Sequence, residues 1–276
     1  MKGLVLDGGG VFGIGQAHIV SQVDLDKFDF FAGTSIGSVI ASVLASGGDC
    51  SDLPGFFHRA MPLIFEGWKW AKYRFYKRRY SDKMLNYYLR QLFLGKLGGV
   101  NKPLFTAAAN LGEQRLKVFS SEHADDASWL LWEVCRCSAA AETYFAPWKG
   151  YADGGIYANN PSMMVVAAAC KQLGAKVDEI ELFSIGTGSG YSGKSKIPRG
   201  SWSAVRWGIW LIGAFLDGAA NSMHEYFVRS LPLKKYKRVD FTRDAKWRMD
   251  SPTDMLLAEK AWKPAIDAAV KEVEAF

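Results

Sequence analysis

The sequence predicts an α/β fold built on one mostly parallel sheet. Three observations carry that expectation. The first fifty residues read strand, helix, strand, helix. Apolar runs of strand length end in glycine-rich turns, which punctuate elements strongly. The 276 residues, 49% hydrophobic and 22% charged, have globular composition, and a chain this long buries roughly 75% of its unfolded surface without disulfide or metal staples. No block recurs at a fixed period, which argues against a solenoid.

The elements follow in order. Lys2–Leu6 reads as a short buried strand, and Asp7-Gly8-Gly9-Gly10 as a turn suited to glycine. A helix is expected over Gly13–Val23, a second strand over Phe28–Ala32, and a helix over Thr34–Ala45 stopped by Gly47-Gly48. A right-handed crossover makes two such strands neighbours, about 4.8 Å apart. The Gly8–Gly10 and Gly33–Gly37 turns then sit side by side at the carboxyl edge of the sheet, where open α/β folds bind ligands. Gly55–Gly99 is helical and aromatic-rich. Leu104–Ala108, Leu116–Ser120, Tyr151–Asp153 and Glu179–Ile185 are strand candidates. Asn160-Pro161 starts a helix that Gly174 closes, Gly186–Gly200 is a loop, and Asp254–Glu274 is a terminal amphipathic helix. No linker divides the chain, so one domain over 1–276 is expected.

The net charge of +6 is local. Trp68–Lys83 carries seven Lys/Arg against one acid, interleaved with Trp68, Trp70, Tyr73, Phe75, Tyr76 and Tyr80. Basic and aromatic residues together suit an anionic membrane surface; a packed helix face with snorkelling cations and a nucleic-acid surface are the alternatives. Met1-Lys2-Gly3 runs straight into Leu4-Val5-Leu6, so no signal peptide is expected, and Trp207–Leu216 is too short to cross a bilayer. Cys50, Cys135, Cys137 and Cys170 lack zinc spacing and read as reduced thiols of a cytoplasmic protein, peripheral on the inner membrane face. The run Lys234, Lys235, Lys237, Arg238 reads as a solvated turn. Trp202–Leu216 reads as core helix or as a lid.

Three glycine motifs compete. Gly8–Gly13 satisfies G-x-G-x-x-G, but a dinucleotide site needs an acid at the end of the second strand, and Gly33-Thr34-Ser35 stands there. Gly188–Ser195 spells G-x-x-x-x-G-K-S, but Pro198 and Gly200 break the helix a phosphate loop requires. Gly33-Thr34-Ser35-Ile36-Gly37 is G-x-S-x-G between a strand and a helix, the context of a nucleophile elbow. The alternative role of Ser35 is a helix cap. A serine nucleophile needs a base. Asp153 ends a strand before two glycines, aimed at the same sheet edge, and a desolvating pocket would raise its pKa toward a useful value. A Ser35–Asp153–His224 triad is the competing arrangement, and a turn role is the competing reading of Asp153.

Taken together, these residues resemble the patatin-like phospholipase family. Asp7–Gly13 is similar to its glycine-rich block and Gly33–Gly37 to its nucleophile motif. Cys137–Pro147 is similar to its Ser-Ala-Ala…Phe-x-Pro block, Asp153-Gly154-Gly155 with Asn159-Asn160-Pro161 to its aspartate block, and Gly186-Thr187-Gly188 to its late turn. The likeness spans roughly residues 2–190 and leaves 191–276 as a lid or interfacial region and C-terminal helix. It implies a three-layer α/β sandwich and hydrolysis of fatty-acyl esters, usually of phospholipids, without metal or cofactor. It further implies Ser35 as nucleophile, Asp153 as base, and main-chain amides of Gly8, Gly9, Gly10 and Val11 as oxyanion hole. Gly13, Gly33, Gly37, Gly154 and Gly155 complete the motifs. Phe12 stands where the family usually has Arg or Lys, so a basic side chain near the loop is expected to be missing. The partners implied are an acyl-ester lipid and a membrane surface at 68–80, with no nucleic acid. The rivals are a nucleotide-binding enzyme and a non-catalytic membrane-binding module. A regulated membrane-degrading defence effector, as some bacterial family members are, is a variant.

Overall fold

The computed structural model describes residues 1–66, 79–188, 190–192, 203, 206–208, 211 and 220–276. The elements begin β1 (Lys2–Leu6), α1 (Gly13–Val20), β2 (Phe30–Thr34), α2 (Ile36–Ala45), α3 (Leu53–Ile64) and α4 (Asp82–Leu92). Then come β3 (Leu104–Asn110), β4 (Arg115–Ser120), α5 (Ala124–Ala127), α6 (Leu131–Ser138), β5 (Tyr151–Asp153), α7 (Gly155–Ala158) and α8 (Ser162–Gln172). β6 (Glu181–Ile185), β7 (Gly190–Ser192), α9 (Ala220–Ser230), β8 (Lys235–Val239), β9 (Thr242–Asp244) and α10 (Pro252–Glu274) complete the order.

Seven strands form the main sheet in the order β4-β3-β2-β1-β6-β8, with β5 also pairing β3. The pairs β1/β2, β1/β6, β2/β3 and β6/β8 are parallel, while β4 and β5 run antiparallel to β3. The strand period of two sends Leu4 and Leu6 to one face and Val5 to the other. On the first face they pack with Ile14 of α1, Ile40 of α2, Phe57 of α3 and Trp262 of α10. On the second, Val5, Phe30 and Phe105 meet Met164 and Val165 of α8 and Val228 of α9. Helices on both faces of a mostly parallel sheet give the expected three-layer α/β sandwich.

Two boundaries differ from the sequence reading for a local reason. β2 runs Phe30–Thr34 because its register sets Gly3 against Phe30 and Leu6 against Gly33. Phe28 instead donates its N–H to the Leu25 carbonyl in a turn, at 3.1 Å. The strand thus ends one residue before Ser35, and α2 starts one residue after it.

Two further expectations are overturned. Lys235–Val239 is the edge strand β8, not a turn: period-two alternation keeps Lys235 and Lys237 in solvent and turns Arg238 inward. Within the expected loop Gly186–Gly200, Gly190–Ser192 pairs in parallel with Thr242–Asp244. Of the basic-aromatic segment, 68–78 lies outside the described residues, as does Trp202–Leu216 apart from 203, 206–208 and 211. Tyr80, which is described, is buried, with its hydroxyl donating to Asp250 at 2.7 Å. Among the described residues, no helix is long and apolar enough to cross a membrane.

Candidate active site

The corner between β2 and α2 dictates where Ser35 sits. Its backbone has φ 52° and ψ −123°, a region that non-glycine residues rarely occupy. The flanking glycines make that corner possible. A Cβ on Gly33 would lie 2.2 Å from the Gly37 carbonyl oxygen, and one on Gly37 2.3 Å from that of Leu6. The Ser35 carbonyl accepts from the Ser38 N–H at 3.0 Å and the Ser38 hydroxyl at 2.6 Å, which starts α2. Ser35 therefore stands at a helix N-terminus, where the dipole favours negative charge.

Asp153 arrives from the far side. It ends β5, opposite Ala108 of β3, and a Cβ on the following Gly154 would meet the Ala107 carbonyl oxygen at 2.4 Å. Its Oδ2 accepts the Ser35 hydroxyl at 2.6 Å and its Oδ1 the Gly155 N–H at 2.8 Å. Burial pushes the carboxyl up from its ordinary value to about 6, against the pull of those two hydrogen bonds.

Both residues are tied to the segment after α6. The Ser35 N–H donates to Ser138 Oγ at 2.8 Å, the Gly154 N–H to the Ser138 carbonyl at 3.4 Å, and the Asp153 N–H to the Ala140 carbonyl at 3.1 Å. The sequence motif contained Ser138 but gave no sign of this bridging. Two residues on, Glu142 places both carboxyl oxygens in buried positions with no hydrogen-bond partner. Burial and then the Asp153 charge raise its carboxyl well above the ordinary carboxylate range, to about 8.

The glycine-rich loop faces this pair. Gly9 and Gly10 line the same cleft as Ser35 and Asp153. Gly8 and Val11 do not share that role: the Gly8 N–H donates to the Asn159 carbonyl at 3.0 Å and the Val11 N–H to the Met249 carbonyl at 2.9 Å. Of the four amides expected to form a cradle, those of Gly8 and Val11 are thus already bonded to carbonyls. Gly10 has φ +59°, and a Cβ there would strike the Met249 carbonyl oxygen at 2.3 Å.

The cleft has a volume of about 760 Å³, including its open mouth. Ile36, Val39, Met61, Ile64, Phe65 and Leu85 are among its apolar lining, and Ser35, Asp153 and Asn159 supply polar side chains. An apolar trough with a few converged polar groups is the usual form of a small-molecule site.

Among the described residues, the competing Ser35–Asp153–His224 triad is not assembled. His224 lies on α9, its ring against the backbone of Tyr157 and Asn160, and burial lowers its pKa. Ser35 donates to Asp153 directly, with no imidazole between them. Gly190–Ser192 of the phosphate-loop-like run is strand, where that motif needs a loop wrapped around phosphates. Burial pushes the Cys135 and Cys137 thiols up to about 12.

The profile of the patatin-like phospholipase family matches residues 4–166, more than half of the chain. The chain belongs to that family. The match contains the glycine-rich loop, the Ser35 corner and Asp153. The chain is 27% identical over 191 residues to the 85/88 kDa calcium-independent phospholipase A2 of Rattus norvegicus, covering 58% of this chain and 23% of that protein. It thus spans about a quarter of that relative's length. It is 24% identical over 279 residues to the cGAMP-activated phospholipase of Vibrio cholerae, covering 86% of this chain and 78% of that one. The crystal structure of VipD from Legionella pneumophila superimposes with a TM-score of 0.53 at 14% identity, covering 98% of this chain and 67% of VipD, a likeness of fold.

One departure from the family pattern changes meaning in three dimensions. Phe12 is fully buried, its ring centroid 5.8 Å from Trp262 and 6.4 Å from Trp247. The Arg243 guanidinium lies over the Phe12 ring, 5.0 Å from its centroid. The expectation that no basic side chain stands near the loop is corrected: β9 brings one in. Sequence order hides this because the two residues are 231 positions apart.

Proposed function

We propose that the chain is a lipid acyl hydrolase in which Ser35 attacks an ester carbonyl and Asp153 moves its proton. The observation that carries the reading is the 2.6 Å contact from Ser35 Oγ to Asp153 Oδ2 in a largely apolar cleft. The acyl chain lies along Ile36, Val39, Met61 and Ile64, and its carbonyl rests over Ser35. Asp153 takes the hydroxyl proton as Oγ bonds to the carbonyl carbon. The Gly9 and Gly10 amides hold the oxyanion, where fixed donors contribute most to acyl transfer. Asp153 then gives that proton to the leaving alcohol. In the second half, water passes a proton to Asp153 and attacks the acyl-enzyme; the proton returns to Ser35 as the fatty acid leaves. A carboxylate raised to about 6 suits this work, because a base is most effective near the working pH.

The names of the relatives favour phospholipids within the ester class, cleaved as by a phospholipase A or lysophospholipase. The basic-aromatic sequence of 68–78 supports a peripheral membrane approach, while Arg79 and Tyr80 are engaged with Asp250. Incubation with mixed phospholipids and identification of the products tests the reading directly. Fatty-acid release is expected from the unmodified chain, with labelling of Ser35 by a fluorophosphonate. No release and no labelling would favour a non-catalytic membrane module, and saturable NAD or ATP binding would favour the nucleotide reading.

A further inference from the structure

Beneath the glycine-rich loop lies a buried cluster of charge that the steps above do not use. Asp7, the residue immediately before Gly8, is 0% exposed, and its Oδ2 accepts from Arg238 Nη2 at 2.7 Å. The Arg238 side chain is only 3% exposed. Its Nη1 donates to Ser184 Oγ at 2.7 Å, and Nη2 also to Asp240 Oδ2 at 3.0 Å. The other oxygen of Asp240 accepts the Gly188 N–H at 2.8 Å. Glu225 Oε2 lies 3.5 Å from Arg238 Nε. One guanidinium therefore joins the ends of β1, β6 and β8, three parallel neighbours. Burial pushes Asp7 up against the pull of Arg238. Burial also works against the Arg238 charge, but Asp7 and Asp240 more than offset that, so the cation persists among three carboxylates.

Neutral side chains hold the same Asp7–Gly8 turn. Thr187 Oγ1 donates to the Gly8 carbonyl, and Gln16 Nε2 donates to the Asp7 carbonyl at 3.1 Å. Burying charges is costly and an apolar replacement is often as stable, so such a cluster is weak evidence for stability alone. We propose that Asp7 and Arg238 are positioning residues that hold the Gly8–Val11 loop, so that the Gly9 and Gly10 amides face the carbonyl over Ser35. The inference rests on the hydrolase reading and deepens it. Neither residue touches substrate; both act through the loop.

Asp7→Asn is the informative variant, because it leaves Arg238 paired with Asp240 and Glu225 and so strands no buried charge. Its kcat is expected to fall roughly 10- to 100-fold with KM within about twofold, the signature of an interaction made in the transition state. Affinity for a trifluoromethyl ketone, whose adduct carries an oxyanion, should fall by the same factor as kcat/KM. The fluorophosphonate titre of active sites should stay unchanged. Asp240→Asn, which keeps an acceptor for the Gly188 N–H, should lose less than Asp7→Asn. A loss fully accounted for by a lower titre, or kinetics equal to the unmodified chain, overturns the proposal. Hydrogen exchange gives a readout independent of turnover: Gly8–Val11 amides should exchange faster in Asp7→Asn while Ser35–Gly37 amides do not. An unmodified chain without ester turnover sinks the hydrolase reading alone, since exchange still decides whether Asp7 holds the loop.

Discussion

The two walls of the cleft are held by different physics. The Ser35–Asp153 wall is fixed by close backbone approach and by hydrogen bonds with Ser138, Ala140 and Gly155. The Gly8–Val11 wall also bonds neutrally to Asn159, Met249 and Thr187, but beneath it lies something the first wall lacks, a buried guanidinium from β8, about 230 residues along the chain. The first arrangement is set by sterics, because a side chain at Gly33, Gly37 or Gly154 would meet backbone. The second is set by a guanidinium that must stay matched to its carboxylates.

Substitutions can break this contrast, and the largest effect belongs to the dyad. Ser35→Ala is expected to bring ester hydrolysis down to background, about 10⁴-fold or more. Asp153→Asn should lose about 10²- to 10⁴-fold, the usual contribution of a positioned base. Both are read as initial rates on one short-chain ester. Comparable rates in either variant would remove the first wall from the chemistry.

Next comes the corner itself. Gly37→Ala places a methyl group against the Leu6 carbonyl and should destabilise the fold by about 1–3 kcal/mol, seen as a lower urea midpoint. An unchanged midpoint would mean that the corner yields more easily than its geometry implies.

The pH profile sharpens the comparison further. Burial raises Asp153 to about 6, so the proposed base is protonated below that pH, and kcat/KM is expected to rise through pH 6. Glu142 ionises only near pH 8 and would then place a second buried anion beside Asp153, so the rate is expected to decline there. Glu142→Gln should keep the acid limb and lose the alkaline one. Retention of the alkaline limb would assign it to another group. The smallest effect is expected for His224→Ala, whose rate should stay within about threefold; a dead but folded variant would restore the triad.

Much of the first wall was legible in the sequence. G-x-S-x-G between a strand and a helix, and an aspartate ending a strand before two glycines, are local patterns whose backbone demands show in composition. β1 and β2 pair as their order predicts, and Asn160 bonds the Ser162 N–H at 3.0 Å where a helix start was read. The second wall was not legible. Lys234–Arg238 looked like a solvated basic turn because composition cannot report which residue of an edge strand turns inward. Nothing near Phe12 in sequence announces Arg243, and the engagement of the Gly8 and Val11 amides depends on Asn159 and Met249.

The order of residues alone determined the fold class, the family and the two side chains that meet at the sheet edge, because each rests on short-range sterics of glycine, strand and helix. Tertiary structure alone decided which loop amides are bonded elsewhere, that a guanidinium underlies the loop, and that Glu142 lies beside Asp153. Those outcomes depend on burial and on charges brought together from distant strands, and desolvation has no signature in a linear chain.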